Sequence, residues 1–262
     1  MDIDDKIVKL SFEAIDKAGK IALNYEKKKI NFEYKSKNQP VTKADIDINN
    51  YLKDFFKKYT PEYGWLSEES VDNRSRLKRD FFWCVDPIDG TRSFIENKPE
   101  YCISIALIKN NFPVFGIIYN PRTDQKFFAV KNYGAFCNDK KISVGNQNKL
   151  DNIRIAISSS ESDILKGKKI NVKNIEKIGS IAYKIALVAN GTIDATLSFT
   201  KKSDWDVAAA TLILNEAGGK TSLMNGKELS YNTKNLKIPS LISANQIIHQ
   251  KFCDCIQPNS GI

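Results

Sequence analysis

The stretch that decides the fold is Trp83-Cys-Val-Asp86-Pro-Ile-Asp89-Gly-Thr91, in which a short apolar run leads into two aspartates three residues apart. The run predicts a buried strand, and Pro-Ile followed by Gly90 predicts a turn directly after it. Such a turn can direct both carboxylates and a backbone carbonyl towards one point, as a hard cation such as Mg²⁺ requires. Gly90 lets a ligand approach the backbone closely, and residues 91–97 can form a short helix whose N–H groups face an anion. Taken singly, either aspartate would be better explained as a residue of a turn after the strand.

The sequence around this stretch predicts a sheet of antiparallel strands with helices on both sides of it in the chain. Four strand-like runs, at 81–85, 101–109, 113–119 and 126–130, are joined by short polar turns, which favours a meander. Apolar spacings of three and four predict a helix from Ile3 to the lysines at 27–29 and another after the capping sequence at 42–45.

The second half of the chain alternates between predicted strands and predicted helices. We expect strands at 153–157, 193–199 and 240–243, and helices at 180–190, at 205–217 and from Asn245 onwards. The fold class is therefore α+β. A polar segment beginning at Gly145 suggests a boundary between an N-terminal lobe, 1–145, and a C-terminal lobe, 146–262, with a cleft between them.

Composition narrows the chemistry that the 262 residues can perform. Forty Lys and Arg against 31 Asp and Glu give a net charge of +9, and 42% hydrophobic residues are typical of globular proteins. The single histidine, His249, argues against Ser-His and Cys-His catalysis and against histidine-rich metal centres. The longest apolar run, 101–108, is too short to span a bilayer, and the acidic N-terminus does not resemble a secretory signal.

The five cysteines fit a reducing compartment, so we expect a cytoplasmic protein. Cys84 and Cys102 lie in apolar runs and are interpreted as core residues. Cys253 and Cys255 supply two thiols, which by themselves are too few for a closed zinc site.

Three further acidic positions are candidates for the site at Asp86 and Asp89. They are Asp45 in Val-Thr-Lys-Ala-Asp, the pair Glu68-Glu69, and Asp206 in Ser-Asp-Trp-Asp. Each has a purely structural alternative. Thr42 with Asp45, and Ser203 with Asp206, have the spacing of a helix capping box, and the glutamates would suit a solvated loop.

Taken together, the motifs resemble the Mg²⁺-dependent inositol monophosphatase-like phosphatases, a family that includes 3′(2′),5′-bisphosphate nucleotidases and a histidinol-phosphate phosphatase group. The resemblance covers nearly the whole chain. Its motifs are Val-Thr-x-x-Asp at 41–45, Glu-Glu-Ser at 68–70, Asp-Pro-Ile-Asp-Gly-Thr at 86–91, Gly-Ser-x-Ala at 179–182 and Trp-Asp-x-Ala-Ala at 205–209. The fold that the resemblance implies is a layered αβαβα sandwich.

The resemblance also implies roles for individual residues. Glu68, Asp86 and the carbonyl of Ile88 would bind one Mg²⁺, and Asp86, Asp89 and Asp206 a second. Asp45 matches the position that holds a third, weaker metal or its water. Thr91 matches a hydroxyl that orients the attacking water, and Gly90 and Thr91 would offer backbone N–H groups to the phosphate. Two or three Mg²⁺ ions would thus neutralise the carboxylates, and Li⁺ would inhibit the enzyme.

The expected substrate depends on residues near the Gly-Ser-x-Ala and Trp-Asp-x-Ala-Ala motifs. Inositol-specific members have a glutamate seven residues before the Trp-Asp aspartate, whereas this chain has Phe199, whose ring could pack against a base or a ribose. Gly179, Ser180, Lys184, Lys201 and Lys202 are further candidates for contacts with substrate, and the lysines suit a second phosphate. These features favour adenosine 3′(2′),5′-bisphosphate, with inositol 1-phosphate and histidinol phosphate as alternatives.

A nucleic-acid-binding protein is the alternative from another class. The lysines occur in clusters, but these are scattered, and only six of the 40 basic residues are arginine, which readers of phosphate and bases prefer. We therefore expect an anionic small-molecule substrate, no nucleic acid and no membrane as partners. A homodimer is left open.

Overall fold

The computed structural model describes residues 3–36, 39–167 and 172–256. The helices in these residues are α1 (Asp5–Glu26), α2 (Lys43–Tyr59), α3 (Thr91–Ile95), α4 (Ser162–Lys166), α5 (Ile181–Ala189), α6 (Asp204–Glu216) and α7 (Gln246–Ile256). The strands are β1 (Phe32–Ser36), β2 (Gln39–Thr42), β3 (Gly64–Ser67), β4 (Phe81–Asp89), β5 (Cys102–Lys109), β6 (Phe112–Asn120), β7 (Gln125–Val130), β8 (Gly134–Cys137), β9 (Lys140–Ile142), β10 (Arg154–Ile157), β11 (Asn174–Lys177), β12 (Ala195–Ser198), β13 (Lys202–Ser203), β14 (Gly219–Leu223), β15 (Lys237–Ile238) and β16 (Leu241–Asn245). The predicted α+β class is confirmed.

A seven-stranded sheet forms the first half of the fold, in the order β3-β4-β5-β6-β7-β8-β9. The strands from β4 to β9 follow one another antiparallel, so the predicted meander is confirmed. The turn between β5 and β6 places Asn110 and Asn111 at φ values of 47° and 67°, a conformation that asparagine tolerates better than most residues. At the edge of the sheet, β3 pairs parallel with β4.

Alternate side chains of this sheet enter two different cores. Trp83 and Val85 of β4 pack towards α1 and α2, whereas Phe82 and Cys84 pack towards α5 and α6. This alternation is what the period of two along a strand predicts. The central strands β4, β5 and β6 are consequently buried on both faces, between two layers of helices.

The middle helical layer approaches the sheet closely because small residues face each other. Residues 207–210 of α6 read Val-Ala-Ala-Ala and are fully buried. A Cβ atom at Gly116 of β6 would lie only 2.9 Å from the Cα atom of Ala209. Glycine at this position therefore allows α6 to lie against the sheet.

The second half of the fold is a mixed five-stranded sheet in the order β11-β10-β12-β16-β14. One face contributes Ala156 and Leu241 to the cluster around α5 and α6. The other face, through Ile155 and Ile242, packs against Ile248 of α7. The order of layers is helix, sheet, helix, sheet, helix, which confirms the expected αβαβα sandwich.

The boundary near Gly145 stays a prediction. One apolar cluster includes Phe82 of β4 together with Leu241 of β16, so residues from either side of that position share a core. Cys84 and Cys102 are buried, as expected for core residues. Among the described helices, none is both long and apolar enough to cross a membrane.

Candidate active site

The parallel pairing of β3 with β4 brings the first two candidate carboxylates together. Ser67 lies opposite Val85, so the residues that follow, Glu68 and Asp86, lie side by side where the pairing of the two strands ends. The Glu68 N–H also donates to the carbonyl of Val85, at 3.2 Å. The carboxyl ends of two parallel strands thus place two acids at one edge, although they are 18 positions apart in the sequence.

The turn after Asp86 has the tight geometry that its sequence predicts. The Ile88 N–H donates to Oδ1 of Asp86 at 3.0 Å, and the pairing with β5 is interrupted between Asp86 and Asp89. Gly90 has φ +95°, and a Cβ atom there would lie 2.8 Å from the carbonyl oxygen of Glu100. Glycine is therefore required at the point where β4 ends and α3 begins.

Three carboxylates from distant segments converge at this edge. One oxygen from each of Glu68, Asp86 and Asp206 lies within 4.8 Å of the other two. Asp206 comes from the first turn of α6, in the helical layer beneath the sheet. Oxygen ligands in such an arrangement suit Mg²⁺, and the resemblance had assigned all three residues to metal binding.

Asp45 and Asp206 of the site also cap helices, so each carboxylate has a structural role besides its proposed role in the site. At the start of α2, Oδ2 of Asp45 accepts the Thr42 N–H at 2.8 Å. At the start of α6, Oδ2 of Asp206 accepts the Ser203 N–H at 2.6 Å. In each aspartate the second oxygen, Oδ1, lies outside these bonds. The capping interpretation is confirmed, and it leaves one oxygen of each residue for chemistry.

The hydroxyl of Thr91 lies between two of the predicted site residues. Its Oγ1 atom is 3.1 Å from the carbonyl oxygen of Ile88 and 3.3 Å from Oδ1 of Asp45. Thr91 is the first residue of α3, directly after Gly90. The hydroxyl therefore connects the turn after β4 with the N-terminus of α2.

Asp89 is held differently from the other acids. Its Oδ2 atom accepts hydrogen bonds from the Ser180 hydroxyl and from the Ala182 N–H, the latter at 2.6 Å. These groups begin α5, so the helix start orients this carboxylate. Asp89 is not among the three described carboxylates that converge within 4.8 Å.

For Ser180, the structure differs from the prediction of a contact with substrate. The residue is fully buried, and its hydroxyl is engaged by Asp89 and by the Tyr183 N–H, at 3.0 Å from the latter. A side chain that caps a helix and fixes a carboxylate from inside the protein does not face a ligand. The adjacent Gly179, also predicted, does line the cavity described below.

Burial and mutual repulsion disfavour the charged forms of the carboxylates in the site. Burial, followed by repulsion from Glu69 and Glu68, raises the pKa of Asp45 to about 7. Burial, followed by repulsion from Asp89 and Glu68, raises the pKa of Asp206 to about 8. The pKa of Asp86 is raised well above its usual range by burial and then by Glu68. Divalent cations would relieve this repulsion, so the donor set fits Mg²⁺.

Lys35 is a site residue that the sequence did not indicate. Its Nζ atom lies 2.7 Å from Oε1 of Glu68 and 2.6 Å from Oε1 of Glu69. Burial opposes the charge of this lysine, but the two glutamates outweigh it and raise its pKa. The contact joins residues more than 30 positions apart and depends on how β1 lies over the sheet, so no local pattern reveals it.

A cavity of about 760 Å³ opens over the carboxylates. Its wall near the turn carries Glu68, Asp86, Asp89 and Asp206, together with Ile88, Gly90 and Thr91. A second group of lining residues, referred to below as the far wall, comes from the second half of the chain and comprises Ser158, Ser159, Ser160, Lys177, Lys184, Thr200, Lys201 and Lys202. The cavity therefore combines a group of carboxylates with four lysines from the second half of the chain.

Lys184 is the most deeply placed of these lysines. It projects from α5 with only 1% of its surface exposed. Burial lowers its pKa to about 8, although Glu161 attracts the charge and opposes that effect. Lys177 and the three serines at 158–160 line the same wall, and the sequence did not single them out.

Phe199 does not occupy the position that was predicted for it. Its side chain packs against the apolar cluster around β10, β12 and α7. It is absent from the described residues that line the cavity, and none of those residues is aromatic. The residue directly follows β12, and Ala195 and Leu197 of that strand belong to the same cluster.

The comparisons with known proteins agree with this architecture. The sequence profile of the inositol monophosphatase family matches residues 4–257. Inositol monophosphatase 2 of Solanum lycopersicum is 32% identical over 248 residues, which cover 88% of this chain and 92% of that protein. The 3′(2′),5′-bisphosphate nucleotidase CysQ of Aggregatibacter actinomycetemcomitans is 30% identical over 236 residues, covering 85% and 86%.

Solved structures show the same fold. The extragenic suppressor protein suhB of Bartonella henselae has a TM-score of 0.85 and 27% identity, covering 98% of this chain and all of that one. An IMPase/NADP phosphatase complexed with Mg²⁺ and phosphate has a TM-score of 0.86 over 98% and 97% of the two chains. At 23% identity, that likeness concerns the fold alone. The chain belongs to the inositol monophosphatase family of Mg²⁺-dependent phosphoric monoester hydrolases, which act on small phosphate substrates.

Proposed function

We propose that the enzyme prefers a small phosphomonoester that carries a second phosphate, and that adenosine 3′(2′),5′-bisphosphate is hydrolysed to AMP and phosphate. The observation that supports this proposal is that one cavity is lined by two groups of residues, the carboxylates and four lysines from the second half of the chain, which are called here the carboxylate wall and the lysine wall. The phosphate to be cleaved would lie at the first wall and the second phosphate at the other. A volume of about 760 Å³ is within the range of cavities that bind ligands of this size.

The proposed metal ligands are those that the resemblance to the family assigns, and the convergence of Glu68, Asp86 and Asp206 supports them. Glu68, Asp86 and the Ile88 carbonyl would hold one Mg²⁺, and Asp86, Asp89 and Asp206 a second. Asp45 would hold a third ion or its water. When bound, Mg²⁺ supplies a Lewis acid for the phosphoryl oxygens and lowers the pKa of the attacking water.

The protein's own groups would orient the nucleophile and the phosphate. In this proposal the Thr91 hydroxyl holds the attacking water, and Oδ1 of Asp45 and the Glu68 carboxylate accept hydrogen bonds around it. The backbone N–H groups of Gly90 and Thr91 bind the phosphate. The 3.3 Å distance between Thr91 Oγ1 and Asp45 Oδ1 supports the pairing of these two side chains.

Replacing Thr91 with alanine tests this assignment. We expect kcat to fall about 10²-fold while KM changes by less than about threefold, because the hydroxyl positions the nucleophile rather than the ground-state phosphate. Steady-state kinetics with Mg²⁺ in excess would measure both constants. Thr91→Ser keeps the hydroxyl and should retain most of the activity. A change in KM alone would make Thr91 a binding residue and refute its role.

A matched pair of nucleotides tests the second phosphate. Adenosine 3′,5′-bisphosphate and adenosine 3′-monophosphate differ only in the group that the lysine wall is proposed to bind. We expect kcat/KM to be at least about tenfold higher for the bisphosphate, since hydrogen bonds to charged groups are the stronger ones. Because the described lining contains no aromatic residue, exchanging adenine for another base should have a smaller effect.

Lys184→Met should reduce the ratio of kcat/KM for the bisphosphate to kcat/KM for the monophosphate by about tenfold or more. The substitution removes the buried ammonium and keeps the apolar volume. Lys98→Met is the control, because Lys98 lines the same cavity but belongs to the first half of the chain, is exposed and pairs with Glu96 at 2.6 Å. Equal losses for both nucleotides in Lys184→Met would show that the lysine attracts anions in general, and the proposal for this residue would fail.

Inositol 1-phosphatase is the second candidate function. It is supported by the Solanum lycopersicum relative, which is as similar as the nucleotidase relatives, and by the serine hydroxyls of the far wall, which could bond to ring hydroxyls. Inositol 1-phosphate and histidinol phosphate therefore belong in the same assay. A higher kcat/KM for either of them than for the bisphosphate would overturn the substrate proposal and leave the phosphatase chemistry intact.

A further inference from the structure

Glu161 is a buried carboxylate that the proposed chemistry does not use. It ends a 3₁₀ turn, Ser159–Glu161, and none of its surface is exposed. Five groups donate hydrogen bonds to it. They are the hydroxyls of Ser158, Ser198 and Thr200 and the backbone N–H groups of Phe199 and Thr200. A carboxylate with this many donors is fully satisfied and has a single orientation.

Four of the five donors belong to residues 198–200, at the end of β12 and in the connection to β13. Their distances to Oε1 of Glu161 are 2.9 Å for Ser198 Oγ, 2.8 Å for the N–H groups of Phe199 and Thr200, and 2.7 Å for Thr200 Oγ1. The segment then carries two lysines of the cavity wall and leads into α6. A single oxygen atom therefore holds the loop that forms much of that wall.

The contact extends to a lysine through Thr200. The Lys202 Nζ atom donates to Thr200 Oγ1 at 2.7 Å, and the same hydroxyl donates to Oε1 of Glu161. The chain of bonds runs from the ammonium group to the hydroxyl and on to the buried carboxylate. The position of the Lys202 charge in the cavity thus depends on a residue that does not line the cavity.

Glu161 is ionised in this environment. Burial by itself would raise its pKa, but the Ser158 hydroxyl, Lys202 and Thr200 together lower it to about 2. An ionised acceptor makes stronger hydrogen bonds than a neutral one, so the loop is held by charge-assisted bonds.

We propose that Glu161 is a positioning residue for recognition of the second phosphate, holding Thr200, Lys201 and Lys202 in the cavity wall without touching the substrate. This inference rests on the proposed preference for a doubly phosphorylated substrate. It assigns specificity to a side chain beneath the wall and separates it from the metal ligands, which serve the phosphate that is cleaved.

Two substitutions separate positioning from charge. Glu161→Met removes the acceptor, whereas Glu161→Gln removes the charge and keeps an oxygen for the loop. With adenosine 3′,5′-bisphosphate we expect Glu161→Met to raise KM at least about tenfold and Glu161→Gln to raise it less than about threefold. For p-nitrophenyl phosphate, which lacks a second phosphate, KM and kcat should change less than about twofold in both variants.

Other roles for Glu161 give different results. If it acted only as a negative charge beside the lysines, both substitutions would lower KM for the bisphosphate to a similar extent. If it were merely structural, Glu161→Met would reduce activity towards both substrates alike. Either result would overturn the inference, as would an unchanged KM in Glu161→Met.

Two further proteins complete the test. Ser198→Ala removes one donor to Glu161 from a buried position outside the cavity wall, and it should raise KM for the bisphosphate about threefold even if Glu161→Met does not fold. An unchanged KM there would count against the inference. Glu176→Gln, an exposed position on β11, is the control. A wild-type enzyme with no preference for the bisphosphate would instead refute the proposed function, so the two failures are distinguishable.

Discussion

Asp86→Asn is expected to lower kcat by at least about 10³-fold while the protein remains folded. Asp86 is 1% exposed and lies close to Glu68 and Asp206, and in the proposed arrangement it is the carboxylate that both Mg²⁺ positions share. An amide keeps the shape and the Oδ1 acceptor for the Ile88 N–H, but it cannot neutralise a divalent cation.

Asp86→Asn should lower activity but raise the stability of the protein when no metal is present. Burial and neighbouring carboxylates raise the pKa of Asp86, so its ionised form destabilises the folded state as pH increases. At about pH 8 in chelator, Asp86→Asn should therefore have a higher Tm than the wild type. Asp151→Asn, at an exposed position, is the control and should change neither quantity. Retained activity in Asp86→Asn would refute the proposed metal site.

Removal of Mg²⁺ is the second change with a large expected effect. In excess chelator the rate should fall by about 10³-fold or more and return when Mg²⁺ is added, since the chain offers no histidine at the site to activate water. His249, the single histidine, is buried near Ser222, with its Nε2 atom 2.8 Å from the serine Oγ. Full activity in chelator would contradict the proposal.

The stability of the metal-free protein depends on pH because the pKa values of these buried aspartates are raised. Asp45 at about 7 and Asp206 at about 8 retain protons in the folded protein at pH values where they would lose them in the unfolded chain. The folded state therefore binds more protons than the unfolded state between about pH 4 and pH 8, and the metal-free protein loses stability as pH rises through that range.

Mg²⁺ competes with those protons, so it should raise Tm more at about pH 8 than at about pH 5.5. Thermal unfolding at both pH values, with and without Mg²⁺, measures the difference. Asp86→Asn should show a much smaller shift. An equal Mg²⁺ shift at both pH values would mean that the carboxylates are already ionised, contrary to the expected proton linkage.

Local patterns in the sequence determined the elements of the fold and several features of the site. The strands from β4 to β7 and the helices α1, α2, α5 and α6 were predicted because the periods of strand and helix are properties of neighbouring residues. The capping boxes at Thr42 and Ser203 were predicted for the same reason, since their atoms are three residues apart. The capping and catalytic interpretations of Asp45 and Asp206 are compatible, because a carboxylate has two oxygens.

Only the tertiary structure decided which of the candidate residues meet. The convergence of Glu68, Asp86 and Asp206 depends on the parallel pairing of β3 with β4 and on the docking of α6, which join distant parts of the chain. The same long-range packing brings the Ser180 hydroxyl into a hydrogen bond with Asp89 and packs the Phe199 side chain against an apolar cluster. It also placed Glu161 beneath the lysine wall. Such contacts follow from how sheets and helices stack. Successive side chains of a strand point to opposite faces, so a shift of one residue moves a side chain from one face to the other.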